Sequence, residues 1–251
     1  MANGNKELSG KVAIVTGSGR NIGKAIALTL AAGGAAVVVN ARSNRAEADA
    51  VVREIEAGGG RAIAVIGDVA DPATAKNLAA AAERFGRLDC LINNAAIRKE
   101  KPLDQITFEE WREVHSIILD AAFHCVQACL PLLRKSGSGA IVNIGGMSAH
   151  AGSKNRVHVI TAKSGLVGFT KALAHDLAAD KVTVNYLSPG LIQTARAAGA
   201  AEPQHHQVHS TLTGERGRPE DIAAAVRFLC GPGARYITGQ TIHANGGAYL
   251  G

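Results

Sequence analysis

Aromatic residues are scarce in this chain: Phe, Trp and Tyr make up 4% of 251 residues, so any packed interior must rest on Ala, Val, Ile and Leu. No five-residue block of Lys and Arg occurs, and no aromatics interleave the basic positions. The net charge of +6 therefore favours scattered anionic contacts, such as a phosphorylated cofactor or an acidic carrier protein, over a nucleic-acid surface. The four cysteines, Cys90, Cys125, Cys129 and Cys230, form no CxxC pair, which argues against a clustered metal or redox motif and for reduced, packed thiols. The opening MANGNKELSGKVAIV lacks the charged-then-apolar run of a signal peptide, and no stretch of about 18 uninterrupted apolar residues predicts a membrane helix. The expectation is a cytoplasmic protein.

What is present is a rhythm. Short apolar runs at 11–16, 35–40, 61–67, 88–93, 139–145, 181–187 and 240–244 read as strands. Helical patterns fall between them, near 21–33, 44–58, 72–86, 107–135, 155–180 and 219–230. Strands that are apolar throughout belong to a parallel sheet covered on both faces. Regular strand–helix alternation implies an α/β, doubly wound fold, here a single domain over 1–251. Residues 191–215 break the rhythm and read as a lid-like insertion over a ligand crevice, with His205, His206 and His209 in its polar stretch. No acidic or cysteine ligand stands at useful spacing from those histidines, so no metal site is expected.

The first strand runs into TGSGRNIGKAIA. Gly17, Gly19 and Gly23 let the backbone turn sharply and approach a pyrophosphate held at a helix N-terminus. An acid at the end of the second strand would bind an adenosine ribose hydroxyl, but this chain has Asn40, Ala41 and Arg42 there. Arg42 and Arg20 together suit a 2′-phosphate, so the expected cofactor is NADP(H).

TGSGRNIG, GDVAD (67–71), NNAA (93–96), the lysine of VITAK, LSPGLIQT (187–194), RPEDIA (218–223) and TGQTIHANGG (238–247) occur in order along almost the whole chain. In these motifs the chain resembles the short-chain dehydrogenase/reductase family, most closely its 3-oxoacyl-carrier-protein reductases. The resemblance implies a Rossmann-type domain with a seven-stranded parallel sheet, assembled as a homotetramer and acting on a small-molecule substrate. It implies that Gly17, Gly19, Arg20, Asn21, Ile22 and Gly23 surround the phosphates and that Asp68 and Val69 lie near the adenine. Asn93 and Ala95 would pass along the cofactor, while Pro189, Gly190, Ile192 and Thr194 flank the nicotinamide. Asn21 stands where the family usually has glycine, and asparagine tolerates a left-handed backbone.

At the catalytic end the pattern departs. The family places a tyrosine four residues before its lysine, a serine thirteen before that tyrosine, and an asparagine on an earlier helix. Counting from Lys163, those positions hold Val159, Gly146 and, aligned through Trp111 and Val114, Ile118. Lys163 then reads as the residue that holds the cofactor ribose. His158 lies about 140° around the helix from it, pointing away, whereas Arg156 shares its face to within about 20° if the helix begins that early. Ser148 in MSAH is two residues past the lost serine, where an extended backbone would turn it to the same side, and His150 is two further on. Ser148, His150 and Lys163 are the candidate catalytic residues. The sequence supports a reductase of a carbonyl or imine with a rebuilt proton relay. A cofactor-binding sensor or partner subunit, and a lyase or isomerase, remain as alternatives.

Overall fold

In the computed structural model, which describes residues 6–195 and 210–251, the seven expected strands form one parallel sheet. They are β1 (Val12–Val15), β2 (Ala36–Ala41), β3 (Arg61–Ile66), β4 (Cys90–Asn93), β5 (Ala140–Ile144), β6 (Thr183–Pro189) and β7 (Thr241–Ala244), in the order β3-β2-β1-β4-β5-β6-β7. From β1 the chain winds outward to β3, then returns to β1's other side and winds outward to β7. The reversal between β1 and β4 opens a crevice at the carboxyl ends of the strands, where such folds bind ligands.

Alternation along each strand divides the core. Ala13, Val15, Val37 and Val39 face one side, packed against Ile22, Ile26 and Leu30 of α1 (Asn21–Ala32), Val51 and Ile55 of α2 (Arg45–Ala57), and Ile222 and Val226 of the last helix, named α8 (Pro219–Cys230). Val12, Ile14 and Val38 face the other, against Leu78 of α3 (Pro72–Glu83) and Cys125, Cys129 and Leu133 of α5 (Ala121–Ser136). All four cysteines are free and buried. Burial lifts the Cys125 thiol to about 12, so it behaves as a small apolar side chain.

The segment expected as one helix over 107–135 is interrupted. α4 (Phe108–His115), opened by a Thr107–Glu110 capping box, passes into a π-helical turn over Ser116–Asp120 before α5 continues. The whole stretch Phe108–Ser136 is long and apolar enough to cross a membrane by length and composition, yet 44% of its most apolar window is buried inside the fold. A core helix satisfies the same test. Among the described residues the remaining α-helices are the four-residue α6 (Ser148–Ala151), absent from the sequence reading, and α7 (Val157–Asp176). The borders of the 191–215 insertion are tied down: Gln193 N–H donates to the Gly217 carbonyl at 2.8 Å and Gly217 N–H to the Leu191 carbonyl at 3.0 Å. His205, His206 and His209 lie outside the described residues.

Candidate active site

The glycine loop after β1 is shaped by asparagines. Gly17, at φ +61°, donates its N–H to Asn40 Oδ1 at 3.1 Å, and Asn40 Nδ2 donates onward to the Val65 and Gly67 carbonyls, both at 3.2 Å. Asn94 Nδ2 donates to the Thr16 and Gly17 carbonyls at 2.9 and 3.1 Å. The ends of β1, β2, β3 and β4 thus share one hydrogen-bonded frame. A Cβ on Gly23 would overlap the Gly17 carbonyl oxygen and come within 2.6 Å of Asn94 Nδ2, so only glycine permits this closeness of helix and loop.

α1 has no acidic residue in its first turn and no side-chain cap, which leaves its first N–H groups and positive dipole end for an anion. Asn21 adopts the left-handed backbone at φ +50°. Its side chain clasps Ala195 from both sides, accepting from the amide at 2.9 Å and donating to the carbonyl at 3.3 Å. Asn93 Nδ2 donates to Asn143 Oδ1 at 2.8 Å, while Asn93 Oδ1 is buried with no partner. A glycine cradle that a Cβ would fill, an uncapped helix N-terminus and an orphaned acceptor beside it fit a dinucleotide. Arg42 stands at the end of β2 as read, exposed and paired at 2.8 Å with the half-buried Asp68.

At the other end of the crevice stands Lys163, on the first turns of α7 and 8% exposed. Its ammonium donates to the Gly145 carbonyl at 2.5 Å. Burial, reinforced by the charges of Arg98 and Arg156, draws its pKa down to about 7. A Cβ on Gly146 would lie 3.5 Å from Nζ, so a glycine there leaves the space beside the ammonium open. Val159 and Ile118 are buried in one apolar cluster with Val114, Ala122, Ala162, Leu166 and Tyr186. Hydrocarbon fills the space around positions 118 and 159.

The relay candidates fall differently from their sequence reading. Ser148 is not on extended backbone. Met147 is already helical at φ −52°, ψ −37°, and Ser148 opens α6, so it does not share the side of position 146 in the way a strand would require. It is buried, at 8% exposure. The His150 ring stacks with Tyr249 and meets Tyr186 and His243 edge-on, the nearest centroid being His243 at 4.8 Å. Burial, then the neighbouring His243 and Lys171, hold His150 below its ordinary pKa, which keeps it neutral. Arg156 caps α7 at φ −134°, ψ 26° instead of lying within it, and is 5% exposed. His158 is 1% exposed, with neither ring nitrogen hydrogen-bonded. Burial, then the charges of Glu110, Lys99, Arg156 and His115, bear on its charge, with burial holding its pKa below the ordinary value.

Tyr186 falls in the strand run 181–187, just ahead of the LSPGLIQT motif, and was not among the candidate site residues. Its hydroxyl accepts the Gly146 N–H at 3.1 Å, and the phenol is fully buried under α7. A readable signal existed: a bulky residue on one strand beside two glycines at the end of its parallel neighbour.

Comparison with known proteins gives a consistent result. A family model described as enoyl-(acyl carrier protein) reductase matches residues 17–249. A 3-oxoacyl-[acyl-carrier-protein] reductase of Synechocystis is 41% identical over 246 residues, covering 97% of this chain and 98% of the relative. The counterpart from Staphylococcus aureus is 37% identical over 242 residues, 96% and 98% of the two chains. Among solved structures, a short-chain dehydrogenase of Burkholderia cenocepacia in complex with NADP superposes with a TM-score of 0.89 at 36% identity, covering 96% of this chain and 99% of that one. A blue fluorescent protein from a metagenomic library, in complex with NADPH, gives 0.90 at 36% identity, with 97% and 100% covered.

Proposed function

The chain belongs to the short-chain dehydrogenase/reductase family, and from that premise we propose that it is an NADP(H)-dependent reductase of a carbonyl or imine substrate, with a proton relay unlike the family's usual one. One observation carries the reading: Lys163 is a proton-bearing group held at the inner end of an intact dinucleotide cradle, beside a space that Gly146 leaves open. NADPH, when bound, supplies a hydride to the acceptor carbon. Gly17, Gly19, Ile22, Gly23 and the α1 N-terminus would receive the pyrophosphate, with Arg20 and Arg42 beside the 2′-phosphate. Asp68 and Val69 would border the adenine. Asn93, Ala95, Pro189, Gly190, Ile192 and Thr194 would line the remainder, and the Asn21 clasp on Ala195 anchors the start of the lid.

We read Val159, Gly146 and Ile118 as standing where the family's tyrosine, serine and asparagine would be. Lys163 then does more than hold the ribose. A pKa near 7 lets it lose and regain a proton around neutrality, so its ammonium can protonate the oxygen as the hydride arrives. An imine that enters already protonated would need no such donor. His150 and Ser148 serve as the outer relay in this reading, with the Tyr186 ring between His150 and the Gly146 corner. The activity of the Synechocystis and Staphylococcus reductases makes 3-oxoacyl thioesters on an acidic carrier protein the first substrates to try, and the net charge of +6 suits such a carrier. Exposed Phe123, with Leu119 and Phe169 around a cleft of about 470 Å³ between α5 and α7, supports assembly of copies into a homotetramer. Four free thiols support the cytoplasmic assignment.

A second reading is favoured by the apolar cluster that holds Ile118 and Val159: a cofactor-binding sensor or partner subunit with no hydride chemistry. NADPH consumption across ketones, 3-oxoacyl thioesters, quinones and imines separates the two. The reductase reading expects turnover on at least one class; tight NADPH binding with none moves the assignment to the second. Unchanged activity in a Ser148→Ala/His150→Ala double variant removes those two residues from the relay.

A further inference from the structure

The phenol oxygen of Tyr186 and the ammonium of Lys163 grip the same peptide unit. Tyr186 accepts the N–H of Gly146 at 3.1 Å, and Lys163 donates to the C=O of Gly145 at 2.5 Å. These are the two polar ends of the 145–146 peptide, which is trans, so its N–H and C=O point in opposite directions. The unit is flanked by glycine on both sides, and a peptide between two glycines is the freest to rotate. We propose that Tyr186 is a positioning residue for Lys163: by holding the Gly146 N–H it fixes the Gly145–Gly146 peptide with its carbonyl aimed at the lysine.

The packing commits the corner to this arrangement. A Cβ on Gly145 would fall inside the phenol, overlapping its oxygen and ring carbons, so Gly145 and Tyr186 are matched small to large. Tyr186 is wholly buried, with the Ile118 and Val159 side chains in the same cluster and the His150 ring edge-on. Burial lifts its pKa to about 12, so at neutral pH the phenol stays protonated and its oxygen acts on the amide as a neutral acceptor. Hydrogen bonds linked through one peptide polarise each other: accepting from the N–H makes the carbonyl a stronger acceptor for the ammonium. The groups bearing on Lys163 are then Arg98 and Arg156, which disfavour its charge, and the held carbonyl, which favours it. An active-site lysine lacking a neighbouring phenol on its own helix is thus braced by a phenol from β6, through the backbone.

The inference rests on reading Lys163 as the proton-handling group, but its test requires neither cofactor nor turnover. The pH dependence of Lys163 acetylation by acetic anhydride, followed by peptide mass spectrometry on the full chain, reads the lysine directly. In Tyr186→Phe, which keeps the ring, the released peptide stabilises the ammonium less. The Lys163 inflection should move to lower pH by about half a unit or more, with exposed lysines such as Lys181 unmoved. An inflection at the unsubstituted protein's pH overturns the proposal. Amide exchange in the unsubstituted protein gives a second reading that survives a misfolded variant. Tyr186 is the acceptor for the Gly146 amide, so that amide should exchange as slowly as those of β5; exchange at open-loop rates also overturns the proposal.

Discussion

At Lys163 a charge has been placed where water is nearly absent, and its pKa of about 7 states the cost. The sign of the pH effect follows. The unfolded lysine keeps its proton up to its ordinary 10.5, while the folded one releases it near 7. Between those values the unfolded state binds more protons, so this residue's contribution to stability rises with pH across the window and is least favourable at or below 7. Lys163→Met should therefore raise the melting temperature of the cofactor-free protein at pH 6–7, by about 2–4 °C for each kcal/mol relieved, and the gain should shrink as pH approaches 10. Calorimetry at several pH values checks this. The same substitution should weaken NADPH binding, since it removes the donor expected to meet the ribose. Arg42→Ala should raise the Kd for NADPH by about tenfold while leaving that for NADH nearly unchanged, because only NADPH carries the 2′-phosphate. Fluorescence titration of both cofactors measures the ratio.

Elements place these residues, and their limits were unevenly legible. Each strand overlapped its apolar run because central parallel strands are buried on both faces and carry no competing pattern. The π turn over Ser116–Asp120 left no trace, since an inserted residue barely disturbs helical periodicity. MSAH was too short to show any period, and it was read as extended where the backbone is helical. Tyr186 escaped because motifs record residues aligned along the chain, whereas its partners come from a neighbouring strand and a helix. The turn between β1 and α1, by contrast, was legible because Gly17, Gly19 and Gly23 stand close together between a strand run and a helical one. Gly23→Ala tests that cradle: the methyl would collide with the Gly17 carbonyl, so NADPH affinity should fall by more than about tenfold or the chain should fail to fold. Asn21→Gly keeps the left-handed backbone but deletes both bonds to Ala195, so the Ala195 amide should exchange faster by hydrogen–deuterium NMR.

Across the whole molecule, the two ends of the crevice tell different stories. The half between β1 and β4 ties Thr16, Gly17, Asn40 and Asn94 into one hydrogen-bonded frame. The half under α7 places Val159 and Ile118 in an apolar cluster and carries one buried lysine, one buried tyrosine and a glycine peptide. In the proposed reductase, hydride transfer needs orientation, which the first half would supply, and one proton, which Lys163 would supply. The most direct measurement is a single turnover with NADPH carrying deuterium at its transferable C4 position, offered a 3-oxoacyl thioester, a ketone and an imine in turn. The proposed reduction would leave deuterium on the former carbonyl or imine carbon of at least one product, with equimolar NADP formed. Stoichiometric NADPH binding with no deuterium in any product contradicts it.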